Sequence, residues 1–334
     1  MSDRIAPVID VVIPVYNAPE LTRRCIDSVI THLSPSIRTI HIQNDASGEE
    51  TRSMLDHLPY PSVQVFHAPV NQGYGKSVND AVARSDAELV LVLNSDLEIS
   101  SNFLPLLCGA LAADPKLAVI SPSETAMPAE KINHYQRQPG GYLTTYRFRG
   151  YGFLIRRVVF LAMGGFDAQF GRGYYEDTDL GRRLDQQGWR MGLHPEAIVQ
   201  HKTGASFGRG QAYRELVERN RKLYFSRYPQ AQQNVLVVSG AEVSAELSNV
   251  IEQVMRQGGR LHWLTPERLP KLSCLQMQNS VLSLRGLLKI LLRGWSREDK
   301  RITAIWLSPP IAFWARAMLM LLGRLRRLEI RQWQ

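Results

Sequence analysis

The chain has 334 residues, 44% of them hydrophobic and 21% charged, and a formal net charge of +9. This is a globular balance, large enough for one big domain with an appendage or for two domains. The charge is uneven: residues 285–334 hold eleven Lys/Arg against three Asp/Glu, leaving about +1 on the preceding 284. That distribution argues against a nucleic-acid-binding catalytic face and points to one basic tail suited to an anionic surface. Cys25, Cys108 and Cys274 are odd in number and far apart, so neither a disulfide framework nor a zinc site is expected, and a reducing compartment is. The start, Met-Ser-Asp-Arg-Ile-Ala-Pro, has no apolar stretch of the secretory kind, and every long apolar run is broken by Arg or Pro-Pro. A cytoplasmic protein without a spanning helix is therefore expected.

In chain order, residues 10–15 read as a buried strand and 20–32 as a helix. Residues 37–43 form a second strand, and Ser47 is placed to cap a helix ending near His57. A strand at 63–67, a helix at 73–83 and a strand at 88–93 follow, then a helix at 102–113 and a strand at 117–121. Strands alternating with helices imply a doubly wound, mostly parallel sheet. Residues 123–149 are polar and rich in Pro and Gly, and read as a long loop with a short strand or two. Helices are expected at 156–164 and 176–187. After Pro229 the pattern restarts with strands at 235–239, 261–265 and 302–307. Helices are expected at 244–257, 281–292 and 311–328. The expected division is 1–228 and 229–334, the latter a smaller α/β unit.

The run Glu88-Leu89-Val90-Leu91-Val92-Leu93 shows no alternation and ends abruptly in Asn94-Ser95-Asp96. An unalternating apolar run is a strand buried on both faces. A carboxylate at its carboxyl end lies where open α/β sheets place ligands. Taken alone, the segment fits a polar turn as well as a divalent-metal site. It has company: Pro14-Val15-Tyr16-Asn17, Asn44-Asp45-Ala46-Ser47 and Asn71-Gln72-Gly73-Tyr74-Gly75-Lys76 also follow strands. A parallel sheet gathers all four clusters along one edge.

Farther on come Gly150-Tyr151-Gly152-Phe153, Gly164-Gly165-Phe166-Asp167, Tyr174-Tyr175-Glu176-Asp177-Thr178-Asp179-Leu180, and Ile198-Val199-Gln200-His201. With these, residues 8–228 resemble glycosyltransferase family 2, the inverting transferases of GT-A fold, and in particular bacterial rhamnosyltransferase-like enzymes of surface polysaccharide (O-antigen) synthesis. The resemblance implies a nucleoside diphosphate sugar donor and a glycan or lipid-linked acceptor. It implies Asp96 as metal ligand, with His201 completing the site. Oxygen ligands of this type suit Mg²⁺ or Mn²⁺. Asn94 departs from the commoner acidic Asp-x-Asp pattern and removes one negative charge.

By the same resemblance Asp177 is the general base that takes the proton of the acceptor hydroxyl, with Glu176 the runner-up. Without it, three acids in the first helical turn would read as dipole stabilisers. Donor binding is expected to use Pro14, Tyr16, Asn17, Asn44, Asp45, Asn71, Gly73, Asn94 and Ser95. Lys76 is expected to reach the diphosphate. Gly150 and Gly152 belong to a segment resembling the wall of the donor-sugar and acceptor pocket. Arg182 and Arg183 are expected to pair with nearby acids, and Arg219-Asn220-Arg221 resembles a family ending without an assigned role.

The last helix sets Arg316, Arg324, Arg327 and Arg331 on one side and Trp314, Met318, Leu321, Leu325 and Leu328 on the other. The apolar side is expected to dock on the second unit. The alternative lays this helix in the interface of an anionic bilayer, with the protein peripheral on the inner face of the cytoplasmic membrane. Two rival functions are a nucleotidyltransferase and a degenerate, non-catalytic binding module. The first lacks its Gly-rich basic signature after strand one, and the second is disfavoured by the retained Glu176-Asp177.

Overall fold

The computed structural model describes residues 7–201, 210–269, 271–296 and 301–333. The chain divides into two compact units, residues 1–128 with 137–224, and residues 129–136 with 225–334.

The first unit contains, in order, β1 (Ile9–Val15), α1 (Pro19–Leu33), β2 (Thr39–Asn44), α2 (Glu49–Asp56), β3 (Val63–His67), α3 (Tyr74–Arg84), β4 (Leu89–Leu93), β5 (Leu97–Glu98), α4 (Leu104–Ala113) and β6 (Leu117–Ser123). After α5 (Ala129–Ile132), which belongs to the second unit, come β7 (Leu143–Thr144), β8 (Gly152–Arg156), α6 (Arg157–Ala162), α7 (Glu176–Gln186), β9 (Arg190–Ile198), β10 (Gln200–His201) and α8 (Gln211–Arg227). Among the described residues the large sheet has eight strands in the order β3-β2-β1-β4-β8-β6-β9-β7. The pairs β3/β2, β2/β1, β1/β4 and β6/β9 are parallel. β8 runs antiparallel to both β4 and β6, and β7 antiparallel to β9. The fold is thus α/β with a mostly parallel, doubly wound sheet, as expected.

The apolar runs are explained by burial on both sheet faces. Val11, Ile13, Leu91 and Leu93 pack on one face with Cys25, Val29 and Leu107. Their neighbours Val12, Val90 and Val92 pack on the other with Val78, Val82, Leu180 and Leu184. A period of two therefore carries apolar residues at every position.

Local differences from the sequence reading have identifiable causes. Gly48, not Ser47, is the residue before α2, and the Ser47 hydroxyl instead accepts from the Asn17 amide at 2.8 Å. β8 and β9 were not expected. Both lie in stretches whose glycines, prolines and charges mask the strand pattern.

Among the described residues the second unit contains a five-stranded, all-parallel sheet. Its strands are β11 (Asn234–Ser239), β12 (Arg260–Thr265), β13 (Asn279–Val281), β14 (Ala304–Ser308) and β15 (Glu329–Gln332), in the order β13-β12-β11-β14-β15. Its helices after α5 are α9 (Ala245–Arg256), α10 (Leu284–Ser296) and α11 (Phe313–Arg326). Tyr135 bridges Leu272, tying 129–136 into this unit.

The last helix is rotated relative to the expected orientation. Its buried stripe is Ala315, Leu319 and Gly323, while Trp314, Leu321 and Leu325 are exposed. The reason is β15. The chain turns back at Arg327 (φ 53°) and packs Ile330 so tightly on Gly323 that a Cβ there would lie 2.3 Å from Ile330 Cδ1. Arg331 therefore sits in a strand rather than on the helix. Among the described residues, no helix is long and apolar enough to cross a membrane.

Candidate functional site

In an open parallel sheet, ligands bind at the carboxyl ends where the strand order reverses. Here that point lies between β1 and β4. β2 and β3 lie to one side of β1, and β4 to the other. A cavity of about 220 Å³ opens there, walled by Pro14, Val15 and Tyr16 after β1, Asn94, Ser95 and Asp96 after β4, and Asp45, Asn71 and Gly73.

The loop after β3 is pinned by a carboxylate. Asp45 accepts hydrogen bonds from the Gln72 and Gly73 amides at 2.8 and 2.9 Å, and the Asn71 side chain donates to the Asp45 carbonyl at 3.2 Å. Gly73 has φ 89°, and a Cβ there would lie 2.6 Å from Arg172 Cα. Only glycine tolerates both the conformation and the approach. Arg172, Tyr74 and Tyr174 complete this wall.

His201 reaches the site through the short pairing of β10 with β5, which sets it opposite Leu97, the residue after Asp96. Its Nε2 lies 3.1 Å from Asp96 Oδ1. Asp96 Oδ1 is buried and, apart from this ion-pair contact, has no hydrogen-bond partner. Its Nδ1 contacts Glu124 Oε1 at 2.8 Å. Burial opposes protonation of this imidazole, but the two carboxylates outweigh it and raise its pKa above the ordinary histidine value. Among the described residues no group of three His, Cys, Asp or Glu converges as a ready-made metal cage. An orphaned carboxylate oxygen beside an imidazole nitrogen nevertheless fits a divalent ion whose remaining ligands are phosphates and water.

A second cavity, of about 470 Å³, shares Tyr74, Asn94 and Tyr174 with the first. Glu176, Asp177, Gly150, Tyr151, Arg147 and Arg149 also line it. Asp177 Oδ1 accepts from the Thr178 amide at 2.6 Å, and Gly150 approaches so closely that a Cβ there would lie 2.8 Å from Asp177 Oδ2. The Tyr74 hydroxyl donates to the Gly150 carbonyl at 2.6 Å, fixing that approach. Glu176 is buried, and burial together with the neighbouring Asp177 charge pushes its pKa up to about 8.

The loop leading into this helix is strained and clamped. Tyr174 and Tyr175 have φ values of 72° and 77°, a region that costs non-glycine residues about 1–3 kcal/mol. The fully buried Asn220 on α8 donates to the carbonyls of Phe170, Gly173 and Tyr174 at 2.7, 2.7 and 3.0 Å, and Arg219 donates to that of Gln169. Arg219 and Asn220 therefore hold the loop that carries Arg172 and Tyr174 into the cavities, while Arg221 pairs with Glu218.

Four expected donor residues lie outside both cavities. Asn17 Oδ1 accepts from the Gly48 amide at 2.9 Å. Asn44 contacts His67 Nδ1 at 2.7 Å and caps the Ser47 amide at 3.1 Å. Gly152 packs among Leu93, Leu97 and Pro122. Lys76 is directed one helical turn along α3 to Asp80, at 2.7 Å, so it does not face the cavity. The cation that does is Arg172, whose guanidinium has no hydrogen-bond or ion-pair partner among the described residues. The sequence reading missed it; the signal was an arginine set between glycines just before the paired tyrosines.

The architecture is that of a GT-A-type fold. The model of "Glycosyl transferase family 2" matches residues 10–170. The O-antigen biosynthesis protein RfbC of Myxococcus xanthus is 24% identical over 232 residues, which are 61% of this chain and 18% of that protein. The poly(ribitol-phosphate) beta-glucosyltransferase of Bacillus spizizenii is 33% identical over 100 residues, 29% of this chain and 16% of its own length. The chain thus spans less than a quarter of the curated relatives it matches. A mannosyltransferase of Pyrobaculum calidifontis, solved with GDP-Man and Mn²⁺, shares the fold with a TM-score of 0.56 and 15% identity, covering 97% of this chain and 81% of its own.

Proposed function

We propose that the chain is an inverting, metal-dependent glycosyltransferase. It moves a sugar from a nucleoside diphosphate sugar to an acceptor hydroxyl, on a lipid-linked glycan of bacterial cell-surface polysaccharide synthesis. One observation carries this reading: a cavity at the switch point, bearing Asp96 and His201, shares a wall with a second cavity bearing Asp177.

The donor occupies the first cavity. Tyr16 packs on base or ribose, Asp45 shapes the loop beside it, and Arg172 meets the diphosphate. Asp96 and His201 would hold Mg²⁺ or Mn²⁺, which when bound stabilises the charge that grows on the leaving diphosphate. The acceptor occupies the second cavity. As its hydroxyl oxygen bonds to the anomeric carbon, the bond from that carbon to the diphosphate oxygen breaks on the opposite face, and Asp177 takes the hydroxyl proton. A single in-line displacement inverts the anomeric configuration. Glu176 is the runner-up as base, because it is buried whereas Asp177 is half-buried on the cavity wall.

The second unit supports work at a membrane. α10 and α11 contain no Asp or Glu and pack on one sheet face through Leu287, Leu291 and Leu319. Outward they expose Leu284, Leu288, Leu292, Phe313, Leu321 and Leu325, interspersed with Arg285, Lys289, Arg316 and Arg324. Exposed apolar and cationic side chains without acids match an anionic lipid surface. Co-sedimentation with vesicles containing phosphatidylglycerol, but not with neutral ones, is the expected result.

The main test is release of nucleoside diphosphate from a panel of nucleoside diphosphate sugars with Mn²⁺. Wild-type protein should hydrolyse at least one donor slowly, and Asp177→Asn should still bind it. A panel in which no donor is bound or hydrolysed would overturn the assignment.

A further inference from the structure

The second cavity holds three carboxylates and two arginines, and they do not pair with one another. Glu124 contacts His201 at 2.8 Å, Asp177 accepts from Thr178, and Glu176 is buried. The guanidinium groups of Arg147 and Arg149 have no hydrogen-bond or ion-pair partner among the described residues. Other arginines of this unit are engaged: Arg183 with Asp179, Arg190 with Asp114 and Arg137 with Glu196, at 2.8–2.9 Å.

The local fold holds the backbone that carries these two side chains in place. Phe148, between them, is buried in the core, with its ring centroid 5.0 Å from that of Phe153. Arg147 and Arg149 flank it, are both exposed and both line the second cavity. The segment is fixed at both positions, by the Arg149 amide on Ser121 Oγ at 3.0 Å and the Arg147 amide on Thr145 Oγ1 at 3.2 Å. Two arginines one residue apart in sequence, unpaired and lining one cavity, concentrate positive charge there that a bound anion neutralises. Guanidinium forks match the oxygens of phosphate, and two of them suit one phosphate group.

We propose that Arg147 and Arg149 form an anion subsite that binds a phosphate group carried by the acceptor, orienting the acceptor hydroxyl toward Asp177. The proposal rests on the reading of the second cavity as the acceptor site. It adds a substrate class: the acceptor is a phosphate ester or phosphodiester, not a neutral glycan. The phosphate belongs either to the lipid end of the acceptor or to the glycan itself.

The test is ³¹P NMR titration of wild-type protein with farnesyl phosphate and with ribitol 5-phosphate, against competition by farnesol and ribitol. At least one phosphate probe should bind, and its uncharged counterpart should compete at least tenfold more weakly. Tighter farnesyl phosphate assigns the lipid end, and tighter ribitol 5-phosphate the glycan. Arg147→Ala and Arg149→Ala should each weaken the bound probe about ten- to a hundredfold, the range for a charged hydrogen bond. Arg147→Lys should keep part of the affinity. Arg137→Ala, whose partner Glu196 lies outside the cavities, should bind as wild type. Both positions are exposed, so the variants should fold with unchanged circular dichroism. Phosphate probes that bind no better than their uncharged counterparts, or alanine variants that bind as wild type does, would overturn the subsite. Donor use is read separately: a wild type that binds the phosphate probe but neither binds nor hydrolyses any donor refutes the transferase reading and leaves the anion subsite standing.

Discussion

The two units use the same architectural idea and treat their strand ends differently. In the first, Asn71 Oδ1, Ser77 Oγ, Asn94 Oδ1, Asp96 Oδ1 and Glu176 Oε2 are buried without hydrogen-bond partners, and all five residues line the two cavities. At the carboxyl ends of β11 and β12 the polar groups satisfy one another. The Ser239 hydroxyl donates to the Gly240 carbonyl and accepts from Trp263 Nε1, each at 3.0 Å. Thr265 donates to the Glu267 carbonyl and accepts from Asn279 at 3.0 Å. A buried unpaired polar group costs about 1–3 kcal/mol. The first unit carries that cost where a ligand can relieve it, and these strand ends of the second do not. A parallel sheet provides a place for a site, and unspent polar groups make the site.

The sharpest way to break this contrast is at Asp177, the proposed base. Asp177→Asn should lower transfer on the order of 10²–10⁴-fold, with donor affinity nearly unchanged, measured by steady-state kinetics and donor titration. Near-normal transfer would remove Asp177 from the chemistry. Asp96→Ala should come next, with a loss on the order of 10²-fold and a weakened response to added Mn²⁺. Retained Mn²⁺ dependence would mean that the orphaned oxygen has another role.

Much of this site was legible in the sequence, for a reason tied to period and position. Leu89–Leu93 has no alternation, so it had to be buried on both faces, and Asn94-Ser95-Asp96 had to emerge at its carboxyl end. Asp45, Asn71 and Tyr16 follow by the same rule. Lys76 failed because its placement depends on a side-chain partner, Asp80, that strand-end logic ignores. Arg172 escaped because its position depends on a loop held from α8, more than forty residues later. Arg219-Asn220-Arg221 had no legible role, since three carbonyl acceptors are invisible until the loop folds beneath it. The last helix was misoriented because its buried stripe is dictated by Ile330 on a short strand that the pattern did not reveal.

Asn220 offers a test of intermediate size. Asn220→Ala should leave the carbonyls of Phe170, Gly173 and Tyr174 without their donor and cost about 2–4 kcal/mol of stability. Activity should fall further than the lost stability explains, because the loop bearing Arg172 and Tyr174 loses its position. Thermal melts at matched folded fraction separate the two effects. Activity unchanged at full folding would reduce Asn220 to a packing role.

Glu176 gives a pH signature. Its folded pKa, about 8, lies above the ordinary 4.5, so the native state holds a proton that the unfolded state releases. The contribution is fully present below about 4.5, declines as pH rises between the two values and is spent above about 8. Glu176→Gln keeps the shape and removes the titration. Its stability relative to wild type should therefore rise across that window, read by denaturant unfolding at several pH values. A constant difference would mean that Glu176 is charged in the folded protein.

The smallest effect is expected in the second unit, and it bears most directly on the contrast. Ser239 occupies the end of a central parallel strand, the same topological position that Tyr16 follows in the first sheet. If strand-end position alone made a site, Ser239→Ala should impair donor binding as a change near Asp96 does. Because its hydroxyl is already committed to Gly240 and Trp263, the substitution should instead remove two neutral hydrogen bonds and leave Trp263 Nε1 without a partner. The expected cost is about 1–3 kcal/mol in stability, with donor affinity and metal response equal to wild type. Donor binding lost in Ser239→Ala at full folding would show that the second sheet also presents a ligand edge, and the distinction between satisfied and unsatisfied strand ends would have to be abandoned.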